Sequence, residues 1–183
     1  MTDVALLGGS FNPPHMAHQM LALWALAGGH AEQVWLIPCY RHPLGKELAP
    51  FAHRQRMCEL ATAPFAPGLA QVLSVEQTLQ ESRTLLVLRH LFQQHPGVRF
   101  SLVIGADILN ETSSWHRFDE IERLVQIVVV GRQGHPSPGD GIVLPDISSS
   151  EVRRRLRAGE AVAHLVPAPV LRYIEQHELY RDG

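Results

Sequence analysis

A chain of 183 residues is long enough for one domain with a substantial core, and a hydrophobic content of 45% is that of a globular protein, which excludes a wholly disordered one. A formal charge of -2 excludes a general basic field for nucleic acid or an anionic membrane, although Arg153, Arg154, Arg155 and Arg157 cluster locally. Cys39 and Cys58 form no CxxC pair, no basic leader precedes an apolar stretch and no apolar run reaches spanning length, so a soluble cytoplasmic protein is expected, with no nucleic-acid and no membrane partner.

In chain order, "DVALLGG" predicts a short buried strand ending in glycines. "HMAHQMLALWALAGG" predicts a helix, apolar at Met20, Leu21, Trp24 and Ala27 and stopped by Gly28-Gly29. "QVWLIP" is a second strand ended by Pro38, and "CYRHPLGKELAP" is loop chemistry. "FAHRQRMCELATA" has helical spacing, with Arg54 and Arg56 expected in helix-surface salt bridges. "AQVLSVE" predicts a strand, "RTLLVLRHLFQQH" a helix broken by Pro96-Gly97, and "VRFSLVIGAD" a strand entering a Gly-Ala-Asp turn. "FDEIERL" is a short helix, and the β-branched "VQIVVVGR" is a strand buried on both faces. "QGHPSPGDG", within a loop over 133–141, is the strongest loop signal; "IVLP" is a last strand, and "SSSEVRRRLRAG" and "APVLRYIEQHELY" are helices.

Alternating strands and helices predict an α/β fold of Rossmann-like, doubly wound form, with a mainly parallel sheet, helices on both faces and a C-terminal helical segment. No linker divides the chain, so 1–183 reads as one domain. In such a fold ligands bind beyond the carboxyl ends of the strands, where strand order reverses. "GGSFNPPHMAH", "IPCYRHPLGK" and "IGAD" all fall at such ends.

The first of these stretches suits phosphate. Gly8 and Gly9 let the chain turn sharply and let a ligand approach the backbone. His15 and His18, three apart, share one face in the first helical turn, where unpaired N–H groups and a partial positive charge favour an anion. Each imidazole adds a donor, or a full positive charge if protonated. Zinc is an alternative for the same histidines, but a closed site takes about four donors and no nearby Cys, Asp or Glu completes one, so no metal-ligating set is assigned. The start of "SSSEVRRR" repeats the theme: one of Ser148, Ser149 and Ser150 caps the helix, the others can donate to an anion, and Arg153 lies one turn in. Plain capping beside a solvated basic face is the alternative there.

These residues resemble a known family. "GGSFNPPHMAH" is similar to the GG-[S/T]-F-[D/N]-P-x-H-x-G-H signature of the nucleotidylyltransferase superfamily, and "ISSSEVRRR" to its distal I-S-S-T-x-[IV]-R signature. "LVPAPVLRYIEQHELY" resembles the tail of bacterial nicotinate mononucleotide adenylyltransferases, and "IPCYRHPLGKELAPFAHRQRMCELA", "ESRTLLVLRHL" and "FSLVIGADILNETSSWHRFDEI" are similar in order along the chain. The sequence departs from the pattern at Asn12, often Asp in bacterial members; at Ala17, in place of Gly; at Ser150, in place of Thr; and at Arg83, in place of an aromatic.

The resemblance implies transfer of the adenylyl group of ATP to nicotinate mononucleotide, releasing pyrophosphate. It implies His15, His18 and Arg153 as the catalytic set, and an ATP site of Gly8, Gly9, Ser10, Phe11, His15, His18, Lys46, Gly105, Asp107, Ser148, Ser149, Ser150 and Arg153. Lys46 would close over the phosphates, and Asp107 would meet ribose hydroxyls. Asn12, Thr84, Trp115 and His116 would hold the mononucleotide, with the Trp115 indole on the pyridine face and main-chain N–H groups near Trp115 and His116 on its carboxylate. Arg83 could swing toward the ring pocket or out to solvent. Mg2+ would ride mainly on ATP phosphate oxygens. A homo-oligomer is compatible with the sequence. The rivals are another adenylyltransferase of the superfamily, such as the pantetheine-phosphate enzyme, whose first motif usually has Thr for His15, and a non-catalytic nucleotide-binding regulator.

Overall fold

In a computed structural model, residues 1–42, 45–108, 112, 115–134 and 142–181 are described. The chain runs β1 (Thr2–Gly9), α1 (Met16–Ala27), β2 (Gln33–Pro38), α2 (Phe51–Thr62), β3 (Ala70–Val72), α3 (Val75–Leu79), α4 (Thr84–Gln94), β4 (Val98–Gly105), α5 (Phe118–Leu124), β5 (Gln126–Arg132), β6 (Val143–Leu144), α6 (Ser149–Arg157) and α7 (Ala168–Gln176). The strands form one six-stranded sheet in the order β3-β2-β1-β4-β5-β6, and every pairing is parallel. Strand order reverses at β1, which pairs with β2 on one side and β4 on the other. The crevice beyond the carboxyl ends of β1 and β4 is therefore where a ligand is expected.

Strand alternation builds two cores. Val4 and Leu6 of β1, Trp35 and Ile37 of β2, and Phe100, Leu102 and Ile104 of β4 face Leu85, Leu88 and Leu91 of α4 and Ile121 of α5. Ala5, Leu7, Val34, Leu36 and Val103 face the other way, toward Ala22 and Ala25 of α1. The period of two gives the central strands β1, β2 and β4 two apolar faces, so they read as nearly continuous apolar runs. A third cluster joins Met57 and Ala61 of α2 to Val152 of α6 and to Val170 and Ile174 of α7, fastening the C-terminal helices.

Three elements differ from the sequence reading. "AQVLSVE" is a strand only over Ala70–Val72, and Val75 begins α3. On α1 the small residues Ala17, Ala22 and Ala25 are buried, while Met20 is 39% exposed; alanines let the helix approach the sheet closely, and the bulkier side chains fall at its margin. Helix α7 ends at Gln176, and left-handed backbone at Glu178 (φ 49°) and Tyr180 (φ 64°) turns the chain back on itself. The Gly/Pro-rich loop lies largely outside the described residues, at 135–141.

Candidate active site

A cleft of about 700 Å³ opens at the switch point. Its walls include Gly8, Gly9, Ser10, Phe11, His15 and His18 from the β1–α1 junction, Gly105 and Asp107 after β4, and Arg132 at the end of β5. Thr84, Trp115 and His116 line the side toward α4 and α5. Residues from all three stretches singled out at strand ends thus meet in one cavity.

The junction differs from the expected turn. Gly8 and Gly9 still belong to β1, paired with Ile37 and Pro38. A side chain at 8 would meet nothing within 4 Å and would project into open space, whereas one at 9 would contact the Phe11 ring at 3.5 Å. The reversal falls instead on Phe11, a bulky residue at φ 45°. Its ring is buried and lies 4.8 Å from that of His18.

His15 is the N-cap of α1, and His18 reaches back so that its Nδ1 accepts the His15 N–H at 3.0 Å. A ring nitrogen that accepts carries no proton, so the His18 proton is on Nε2. The two rings are 3.8 Å apart. Met16 N–H is taken by the Leu165 carbonyl at 2.8 Å, so the amides of residues 15 and 16 are both engaged within the protein, and the imidazoles themselves become the principal donors at this end. Burial pulls both histidines below their ordinary value, with the Arg132 charge adding to it: His18 is lowered to about 3, and His15 is lowered further by its neighbour His18. Both rings are therefore neutral at pH 7 in the free site, which selects the donor over the full positive charge of the two roles open to each imidazole.

Two buried side-chain atoms among the described residues have no hydrogen-bond partner: His15 Nδ1 and Asp107 Oδ1. The other Asp107 oxygen pairs with Arg132 at 2.8 Å, and Arg132 also donates to the Ile147 carbonyl at 2.6 Å. Gly105 is needed for this arrangement, because a Cβ there would collide with Asp107 Oδ1.

At the second predicted anion site several donors already bond to protein groups. Ser148 caps α6 by accepting from Glu151 N–H at 3.2 Å, and the Ser149 hydroxyl donates to the Pro13 carbonyl at 2.8 Å. Arg153 donates to the Asn12 carbonyl at 2.6 Å and to the Ser150 hydroxyl at 3.4 Å. None of Ser148, Ser149, Ser150 and Arg153 lines the cleft; Ser149 and Arg153 bond the loop that leads into it. Asn12, expected at the mononucleotide, is also turned away: it is 2% exposed, and its Oδ1 accepts from Ala49 N–H and from the Tyr180 hydroxyl. Lys46 is exposed and does not line the cleft. Arg83 pairs with Glu81 at 2.5 Å, which supplies a negative partner for its charge. The Trp115 amide, expected to meet a carboxylate, is engaged by the Thr112 carbonyl at 3.0 Å.

Sequence reasoning missed two arginines. Arg54 was expected at the surface but is 1% exposed, with its guanidinium on the carbonyls of Ala49, Ser10 and Tyr40. Arg56 does form the expected helix-surface pair, with Glu59 at 2.9 Å. Helical position distinguishes them: Arg54 shares the inward face of α2 with Phe51, Met57 and Cys58. Arg132, at the end of the apolar run "VQIVVVGR", carried a usable signal, because a charge that closes a buried strand emerges at the ligand edge of the sheet. Among the described residues no group of three or more His, Cys, Asp or Glu side chains is placed to hold a metal ion.

Strand order, a neutral histidine pair at the switch point and a carboxylate facing it across the crevice define an α/β nucleotide-binding fold of the nucleotidyltransferase class. Residues 6–155 match the model of the cytidylyltransferase-like family. A protein of Anaeromyxobacter dehalogenans (strain 2CP-C), named probable nicotinate-nucleotide adenylyltransferase, is 51% identical over 98% of this chain and 97% of its own. A Myxococcus xanthus (strain DK1622) protein of the same name is 40% identical over 97% of this chain and 94% of its own. Among solved structures, a Plasmodium falciparum nicotinic acid mononucleotide adenylyltransferase complexed with NaAD superposes with a TM-score of 0.84 at 19% identity, covering 98% of each chain, which supports the fold. The chain belongs to the cytidylyltransferase-like family and, within it, to the nicotinate-nucleotide adenylyltransferases.

Proposed function

We infer that this protein transfers the adenylyl group of ATP to nicotinate mononucleotide, giving nicotinate adenine dinucleotide and pyrophosphate. The observation that carries the reading is the pair of buried, unpartnered atoms, His15 Nδ1 and Asp107 Oδ1, in one cleft at the switch point. A buried polar atom without a protein partner is explained by a ligand that supplies one. The family membership supplies the chemistry.

The attacking oxygen belongs to the mononucleotide phosphate, which is already anionic, so no general base is required. One bond forms from that oxygen to the α-phosphorus of ATP, and the bond from the α-phosphorus to its bridging oxygen to the β-phosphorus breaks as pyrophosphate leaves. Alignment and charge stabilisation carry such a transfer. His18 Nε2–H donates to the phosphates, His15 offers its unpartnered ring nitrogen beside it, and Asp107 accepts from the ribose hydroxyls. At the β/γ end of ATP, Arg153 keeps N–H donors beyond the two that bond Asn12 and Ser150, whereas the Ser149 hydroxyl must exchange the Pro13 carbonyl for a phosphate oxygen. Thr84, Trp115 and His116 form the pyridine end. With no cage of carboxylates among the described residues, Mg2+ is read as an ion brought on ATP. No helix among the described residues is long and apolar enough to cross a membrane. Cys39 and Cys58 are free and buried, which agrees with a reducing cytoplasm.

Pyrophosphate release, measured with ATP and each candidate acceptor, tests the reading. Nicotinate mononucleotide is expected to exceed its amide by at least about tenfold in kcat/KM, about 1.4 kcal/mol. Turnover with pantetheine phosphate instead would identify the rival enzyme, and no turnover with any acceptor would identify a regulator.

A further inference from the structure

The loop from Ser10 to Pro13 is bound from behind by groups far away in the sequence. The Asn12 side-chain oxygen accepts from Ala49 N–H at 3.1 Å and from the Tyr180 hydroxyl at 2.8 Å. Its main-chain carbonyl accepts from Arg153. A carbonyl oxygen has two lone pairs, so the Asn12 amide oxygen is fully satisfied by those two donors. Next to it stands Phe11 at φ 45°, a backbone state that bulky residues hold only when the surroundings over-determine it. The chain takes the same unfavourable region at Tyr180 (φ 64°), so left-handed backbone occurs at or beside both partners of one partly buried hydrogen bond.

We propose that Tyr180 is a positioning residue of the active site, acting through Asn12 on the loop that sets Phe11 and leads into His15 and His18. The Phe11 ring lies against His18, so a shift of the loop is passed to the imidazole that donates to phosphate. Burial pushes the phenol up from its ordinary value, so it remains a donor across the neutral range. The turn after α7 is held by Leu179 N–H on the Ile174 carbonyl at 3.0 Å, and Leu179 and Tyr180 pack on the cluster shared by α2, α6 and α7. The C-terminal segment is thereby part of the machinery of a site built by the first strand. The kinetic arm of the test rests on the adenylyltransferase reading; the exchange arm does not.

The experiment is Tyr180→Phe in the full chain, which removes one oxygen and leaves the packing. Amide hydrogen exchange over residues 10–16 is expected to quicken at least about tenfold, while Tm moves by less than about 2 °C. With ATP and nicotinate mononucleotide, kcat is expected to fall about tenfold while the KM for ATP stays within about threefold, as for a group acting on alignment rather than on ground-state binding. Tyr173→Phe is the control. It lies on α7, its hydroxyl meets His53 at 2.9 Å, and it should change neither exchange nor turnover. Unchanged exchange and unchanged kcat in Tyr180→Phe would overturn the proposal. So would a fall in kcat that merely tracks a fall in Tm and disappears on cooling. If the unmodified protein turns over no acceptor, the functional reading fails, and the exchange measurement alone then decides whether Tyr180 holds the loop.

Discussion

The starts of α1 and α6 look alike in sequence and differ in the folded protein. Both place polar side chains ahead of a helical run, and both suit an anion. At α1, His15 keeps a buried ring nitrogen with no partner, and the imidazoles face a cleft. At α6, Ser148, Ser149 and Arg153 are already bonded to protein groups, and two of those bonds hold the loop that carries the first site. An anion site is thus marked less by having donors than by leaving them without partners. The α6 group supports the neighbouring loop in the free protein through Ser149 and Arg153.

The largest effect expected from this contrast is at His18. His18→Ala should lower turnover on the order of 10²-fold or more, because it removes a preorganised donor where charge develops, while Tm changes little. Near-normal turnover would move the phosphate seat elsewhere. Next comes the opposite wall. Gly105→Ala drives a methyl into Asp107 Oδ1 and should weaken ATP binding by roughly 10–100-fold, the cost of losing a charge-assisted bond, as titration calorimetry would show. A smaller loss is expected at the braced site. Arg153→Ala should cost about tenfold in kcat/KM, the loss of one charge-assisted hydrogen bond by a half-buried guanidinium that also steadies the loop. Arg154 and Arg155 pair with Glu151 at the surface, and their alanine variants should stay within about twofold. Equal losses at all three would favour a diffuse basic patch.

The last effect is on stability and appears only on acidification. His18 is lowered from 6.5 to about 3 in the folded chain by burial, so between these values the unfolded state binds the extra proton. Stability therefore rises with pH across that window, and it is lost as pH falls from about 6.5 toward 3. His15 adds to the same limb in the same direction. In thermal melts without nucleotide, His18→Gln should flatten the decline below pH 6.5, and an unchanged acid limb would contradict neutral, desolvated histidines.

Much of the fold was legible because it is written locally. The alternation of apolar strands with helical spacing, the glycines closing β1 and the histidine pair three residues apart are all relations between near neighbours, and the α/β class and the identity of the main cleft follow from them. The limits of Arg54 show where this fails. Its neighbour Arg56 has the same chemistry and a nearly identical setting in sequence, yet one is buried on three carbonyls and the other pairs at the surface. A rotation of about 200° around a helix separates positions two apart, and only packing decides which of them faces inward.

The sequence by itself determined the element types apart from α3, the strand-end placement of the chemistry and the family. Tertiary structure decided which polar groups remain available. Ser149 reaches Pro13, Arg153 reaches Asn12 and Tyr180 reaches Asn12 across 136, 141 and 168 residues. A hydrogen bond between such distant groups leaves no periodicity for the sequence to display; it exists because the sheet order brings the first strand, the sixth helix and the C-terminal turn to one edge.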